Sequence, residues 1–190
     1  MTNIPPSAGI HDVYQFNSLL SPTQIDLRRK VQSIANEYIK PVINQHYESA
    51  TFPYECITGL QQLDCCGLDI DMKYTKQNIS TEYKSALSNG LIALELSRHS
   101  TGIATFYCIL QPISMLSIYK CGNDTQRDKY LPSMSKLQQI GAFGLTEPDA
   151  GSDASGLQCT CTPYTHPSTG EHGWLLNGEK RWIGNGTYIA

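Results

Sequence analysis

Apolar residues recur at helical spacing between residues 22 and 138, and with a period of two after residue 139. The first stretch opens on Ser21-Pro22-Thr23-Gln24, a serine cap, a proline at the first helical position and a glutamine three places on. Leu27, Val31, Ile34, Tyr38 and Val42 then predict one buried face, and Pro41 predicts its end or a kink. A second helix is expected from Pro53 to about Asp64, with Ile57, Leu60 and Leu63 inward and Gly67 as its stop. The segment "GLDIDMKYTKQNIS" reads as a loop. From Ser80, the residues Tyr83, Leu87, Leu91 and Leu94 predict a third stripe. A fourth apolar segment runs from Thr101 to Cys121, is interrupted by Pro112 and stops at Gly122. "NDTQRDKYLP" predicts a short charged helix with an asparagine cap and a proline terminator.

Beyond Gln139 the pattern changes. Ile140 to Thr146 is short and apolar, "GLQCTCT" sets Leu157, Cys159 and Cys161 against Gln158, Thr160 and Thr162, and Asn177-Gly178 separates two strand-like runs as in a hairpin turn. Helices first and strands afterwards predict an α+β chain: a loose arm over 1–20, a helical domain over 21–138 and part of an antiparallel β domain over 139–190. Three strands leave an exposed edge and too small a core for an independent sheet. Further chain, a partner, or an incomplete reading frame would each account for that.

Composition narrows the function classes. With 40% hydrophobic and 16% charged residues and a net charge of −3, the chain has no basic field for nucleic acid. No apolar run approaches the roughly 20 residues that span a bilayer, and the N-terminal "MTNIPPSAGIHD" resembles neither a secretory signal nor a mitochondrial presequence. The seven cysteines include no CxxC pair and no zinc spacing, so packing as free thiols outweighs a redox or metal role, and no metal site is expected.

One stretch carries chemistry, "GLTEPDAGSDASG" from Gly144 to Gly156. Neither serine has the flanking glycines of a hydrolase elbow, and the chain has no dinucleotide or P-loop glycine pattern. Glu147 and Asp149 flank Pro148, which splays them, so a solvated turn outweighs a catalytic acid pair. Thr146, Pro148, Gly151 and Ser152 offer a hydroxyl, backbone N–H groups and close approach for an anionic or heteroaromatic ligand. On these residues alone, an ordinary hairpin loop still outweighs a ligand site.

"FGLTEPDAGSDASG", followed some thirty residues later by "LNGEKRWIGNG", resembles the T-E-P-x-x-G-S-D loop and W-I-T/G-N hairpin of the acyl-CoA dehydrogenase and acyl-CoA oxidase flavoproteins. The resemblance runs from about Asp12 to Ala190 and is nearest to plant-type peroxisomal short-chain acyl-CoA oxidases and glutaryl-CoA dehydrogenases. It implies a helical N-terminal domain, a middle β domain and a C-terminal helical bundle. It also implies FAD as cofactor and oxidation of an acyl-CoA to the trans-2-enoyl-CoA in fatty-acid β-oxidation. A complete member would assemble as a dimer or tetramer, in the peroxisome or alternatively the mitochondrion. By this resemblance Phe143, Leu145 and Thr146 lie against the flavin ring, and Gly151 and Ser152 form the turn at the phosphates, with Ser152 also touching the acyl-CoA. Trp182, Ile183 and Gly184 pack over the isoalloxazine.

Departures from the family pattern qualify this picture. Gly184 replaces the threonine of most dehydrogenases and suggests dioxygen as electron acceptor. Ala104 replaces the arginine that holds a distal carboxylate in glutaryl-CoA enzymes, which disfavours a dicarboxylyl substrate. "DIDMKYTKQNIS" replaces a glycine-rich loop, and an acid that often follows Arg98 is replaced within "HST". The family's catalytic carboxylate belongs to its C-terminal half, so no catalytic residue is assigned here and the chain is expected to be inactive alone. A non-catalytic remnant that binds acyl-CoA or acts as an interaction module is the alternative.

Overall fold

A computed structural model describes residues 15–76 and 83–188. The chain divides into two units, one ending at Gln139 and the other starting at Ile140.

The first unit is helical. After a 3-10 turn at Phe16–Leu19, α1 spans Pro22–Ile34. Its capping box is complete: the Gln24 N–H donates to Ser21 Oγ at 3.2 Å and the Ser21 N–H to Gln24 Oε1 at 3.0 Å. The rod continues as a π turn over Ala35–Ile39 and breaks beside Pro41, after which α2 covers Ile43–Glu48. Helix α3, Glu55–Leu63, lies against that π turn. Gly59 permits the approach, because a Cβ there would sit 2.7 Å from Tyr38 Cβ. The helix ends near Asp64 as expected, but the left-handed stop is Asp64 itself (φ 52) and not Gly67. Gly67 (φ 90) instead shapes the following turn, where its carbonyl accepts the Ile70 N–H. Within the expected loop, Asp71 caps a single turn, α4, Met72–Thr75.

The expected helix start at Ser80 lies outside the described residues. Helix α5 runs Ala86–Ser97 and buries Ser88, Leu91, Ile92, Glu95 and Leu96. Leu87 and Leu94, assigned inward by the leucine spacing, are instead exposed. The reason is Glu95. This fully buried carboxylate accepts from Arg28 Nε at 2.5 Å, Gln32 Nε2 at 2.9 Å and Arg98 Nε at 2.9 Å, and turns the polar end of the helix towards α1. Ion pairing therefore sets the rotation of α5, which hydrophobicity all round the helix leaves undecided.

Thr101–Cys121 is one continuous helical segment despite Pro112. Helix α6 (Thr101–Cys108) passes into a π turn over Ile109–Met115 and then into α7 (Leu116–Cys121); the wider turn accommodates the missing N–H and the ring of Pro112. The segment is long and apolar enough to cross a membrane by composition. In this fold it buries Ile103, Phe106, Tyr107, Leu110 and Met115 in the core and packs on α5 and on α8, Asp124–Ser135. Asn123 and Gln126 cap α8 reciprocally. Pro132 lies inside α8 rather than terminating it, so the helix runs three residues past the expected stop.

Among its described residues the second unit holds two antiparallel strands, β1 (Thr160–Thr165) and β2 (His172–Asn177), in a register from Thr160↔Asn177 to Thr165↔His172. The chain is thus α+β, helices followed by a small antiparallel sheet. The hairpin turn is His166–Glu171, closed by the His166 N–H on Glu171 O at 2.8 Å, with Gly170 at φ 71. Asn177-Gly178, expected as the turn, is where β2 ends. Gly178 has φ 145, outside the range of a two-residue hairpin turn, and a Cβ on it would collide with Cys159. Ile140 to Thr146 forms no ladder, and β1 begins only at Thr160 although the alternation starts at Leu157. The N–H groups of Gln158 and Cys159 are taken by a carboxylate instead of a strand partner, as described next.

Candidate functional site

The loop after Thr146 is built around Glu147. Its N–H donates to Ala150 O at 3.0 Å and its carbonyl accepts from the Ala150 N–H at 3.4 Å, so Pro148 and Asp149 form a closed turn. The side chain turns inward and is 5% exposed. Oε2 accepts from Gln158 N at 2.6 Å, while Oε1 accepts from Cys159 N at 3.1 Å and from Lys180 Nζ at 2.7 Å. Hydrogen bonding from the Cys159 side chain, then from the Lys180 ammonium and the Gln158 N–H, lowers the carboxyl to about 2 from its ordinary 4.5. The same contacts raise the Lys180 ammonium and the Cys159 thiol, each chiefly through Glu147. The solvated turn expected for both acids holds only for Asp149, which is exposed; Glu147 is a buried latch.

Lys180 extends the latch. Its ammonium also donates to Leu145 O at 3.0 Å, Arg181 N donates to Thr146 O at 2.8 Å, and Asn185 Nδ2 donates to Gly141 O at 3.2 Å. Residues 141–147 and 180–185 therefore run side by side in opposite directions. Phe143, Leu145 and Thr146 are brought beside the segment carrying Trp182, Ile183 and Gly184, although 35 or more residues separate them in sequence. Phe143 (41% exposed), Leu145 (38%) and Trp182 (85%) present apolar surface outward. Trp182 and Asn185 have φ of 60 and 63, a left-handed conformation uncommon for such residues. The Arg181 guanidinium lies 6.0 Å from the Trp182 ring.

Gly151 and Ser152 stand at the far end of the same loop, both exposed. Nothing lies within 4 Å of a Cβ placed on Gly151, so no packing within the chain requires a glycine there. The following residues are ordered locally: Asp153 Oδ1 accepts from Ser155 N at 3.1 Å, and the Gly156 N–H donates to Asp153 O at 3.2 Å. Behind the loop, a cavity of about 390 Å³ is lined by residues that include Glu147, Asp149, Cys159, Asn177 and Glu179. No group of three or more His, Cys, Asp or Glu side chains suited to a metal ion occurs among the described residues.

Sequence reasoning missed Glu147, Lys180 and the backbone of 158–159 as the elements that tie the site together. Their separations of 11 and 33 residues follow no local period, so only the fold reveals them.

Residues 21–149 match the acyl-CoA dehydrogenase N-terminal domain, and residues 142–190 match the acyl-CoA dehydrogenase middle domain. The mitochondrial isovaleryl-CoA dehydrogenase of Bos taurus is 30% identical over 169 residues, covering 88% of this chain and 37% of that one. Glutaryl-CoA dehydrogenase from Mycobacterium smegmatis superposes with a TM-score of 0.78 at 32% identity, over 95% of this chain and 44% of that one. A structure of a glutaryl-CoA dehydrogenase from that organism in complex with FADH2 does so at 0.76 and 28%, over 95% and 43%. The chain spans about two fifths of the length of the relatives it matches. On the match of both domains in their order along the sequence, the chain belongs to the acyl-CoA dehydrogenase family.

Proposed function

We propose that residues 1–190 supply the helical domain and the first wall of the flavin site of an FAD-dependent enzyme that oxidises acyl-CoA to trans-2-enoyl-CoA. The observation that supports this reading is the antiparallel pairing of 141–147 with 180–185, which brings Phe143, Leu145 and Thr146 beside the segment carrying Trp182, Ile183 and Gly184. The residues fit such a group: Phe143, Leu145 and Trp182 leave apolar area for a heteroaromatic ring to cover, and the space at Gly151 admits close approach of a phosphate. Bound FAD supplies the acceptor for the hydride that leaves the acyl β carbon. In this reading Phe143, Leu145 and Thr146 bear on the ring, with the Thr146 hydroxyl as a hydrogen-bonding group. Ser152 meets phosphate and acyl-CoA, and Trp182, Ile183 and Gly184 exclude water from the ring.

Glu147 is not the proton-abstracting base. Its oxygens are occupied by the Gln158, Cys159 and Lys180 donors, and a carboxylate held at about 2 is a poor acceptor for a carbon-bound proton. We assign the base to the portion of the family that this chain does not span. Gly184 favours dioxygen as acceptor, hence an oxidase and a peroxisomal setting; a threonine hydroxyl and a mitochondrial setting, as in the name of the Bos taurus relative, would instead suit dehydrogenase chemistry. Purified 1–190 is expected to show little or no flavin absorbance. Stoichiometric FAD on it would refute the need for further chain. An assay of a protein containing this chain and the full family complement reads the acceptor: enoyl-CoA formation without hydrogen peroxide would refute the oxidase reading, and no enoyl-CoA formation would refute the activity.

A further inference from the structure

We propose that Asn177 is a site of spontaneous deamidation built into the fold, and that its conversion loosens the contact between residues 141–147 and 180–185. The sequence contains three Asn-Gly pairs, at 89–90, 177–178 and 185–186. This dipeptide is prone to attack of the glycine nitrogen on the asparagine side chain, because glycine places no Cβ in the way and reaches the required backbone angles. The structure separates the three.

Asn89 lies within α5, its Nδ2 donates to Asp69 Oδ2 at 2.7 Å, and its Oδ1 is buried. At Asn185 the side-chain amide is bonded to Gly141 O, and the attacking group, the Gly186 N–H, is engaged with Ile183 O at 3.1 Å. Asn177 is different. It is exposed, it forms the last pair of the β ladder, and it lines the cavity of about 390 Å³ that gives water access. Its partner glycine is also irreplaceable: Gly178 has φ 145, and any Cβ would collide with the side chain and backbone of Cys159. The close approach of β1 to the exit of β2 thus imposes the residue that makes Asn177 labile.

The reaction needs only water. The Gly178 nitrogen loses its proton to solvent and bonds to Asn177 Cγ; the Cγ–N bond breaks and ammonia leaves, giving a five-membered imide. Water then opens either imide C–N bond, yielding aspartate or isoaspartate. Either product adds a carboxylate to a cavity already lined by Glu147, Asp149 and Glu179. Isoaspartate also inserts a methylene into the main chain three residues ahead of Lys180, which bonds Leu145 O and Glu147, and four ahead of Arg181, which bonds Thr146 O. A functional consequence of that loosening rests on the flavin-site reading; the chemistry at Asn177 does not.

The test ages the 190-residue chain at mildly alkaline pH and physiological temperature, and follows the gain of one mass unit at each Asn-Gly by peptide mass spectrometry. The same chain in denaturant sets the unprotected rate. Asn177 is expected to convert within about threefold of that rate, with Asn89 and Asn185 slower by about tenfold or more. Protection of Asn177 equal to that of Asn89, or earlier conversion of Asn185, would overturn the proposal. Asn177→Gln, which must close a larger and slower ring, should abolish the signal; a mass gain that persists in that region would place the chemistry elsewhere. Hydrogen exchange at the Arg181 amide should quicken in aged protein but not in aged Asn177→Gln, and unchanged exchange would overturn the loosening.

Discussion

Replacing Glu95 by alanine tests what orders the helical unit. The carboxylate is fully buried and holds two arginines of unequal standing: the Arg98 side chain is 27% exposed and can turn to water, whereas that of Arg28 is 6% exposed. Removing the acid leaves Arg28 charged in the interior, with Asn17 Oδ1 at 2.6 Å among its remaining partners. Breaking one side of a buried ion pair costs about 3–5 kcal/mol, and the retained Asn17 contact argues for the lower figure. For a domain of this size 1 kcal/mol moves Tm by about 3–5 °C, so Glu95→Ala should lower it by about 10–15 °C in thermal unfolding followed by circular dichroism. The double replacement Arg28→Met with Glu95→Leu removes both buried charges and should recover most of that loss. A single mutant within about 1 kcal/mol of the parent, or a double mutant less stable than the single, would refute the view that an uncompensated Arg28 is the cost.

Other parts of the molecule are open to similar tests. Gly59→Ala drives a methyl into Tyr38 and should cost about 1–3 kcal/mol in denaturant unfolding; a neutral effect would mean that α3 and the π turn are not in rigid contact. Thiol labelling of the native chain should be fast at exposed Cys121 and Cys161. It should be slow at buried Cys56 and Cys65, whose thiols burial raises to about 11, and at Cys66, which burial raises further. The Glu147 carboxyl is lowered in the fold, so its contribution is fully present above 4.5 and is lost as pH falls through about 2. Protection of the Gln158 and Cys159 amides against exchange should accordingly persist to about pH 3, and Glu147→Gln should weaken it already at neutral pH.

Helix starts were legible in the sequence because capping is local. Ser21 with Gln24 forms the box that its spacing predicts, and Asn123 caps α8 as expected, with Gln126 completing a second box. Helix rotations and ends were less legible, since they depend on partners distant in sequence. Leu87 and Leu94 match a helical stripe as well as Leu91 does, and only the Arg28–Glu95 pairing selects the face that is buried. Pro112 and Pro132 look like breaks because proline forbids a regular α hydrogen bond, yet a π turn carries the helix past one and α8 continues past the other. The cysteines divide in the same way: burial of Cys56, Cys65 and Cys66 fits packing as apolar side chains, whereas Cys121 and Cys161 are exposed.

The loop's chemistry turns on the same distinction between composition and partners. Two acids around a proline in a glycine-rich stretch describe a solvated turn, and Asp149 behaves accordingly. Glu147 does not, because the chain returns eleven residues later with two N–H groups that lack strand partners, and 33 residues later with a lysine. A carboxylate that satisfies all three donors delays the start of β1 until Thr160 and fixes Lys180 over Leu145, which sets Thr146 beside Arg181. Such a group cannot also accept a substrate proton without releasing the loop it holds. Glu147 is therefore committed to holding the loop in position.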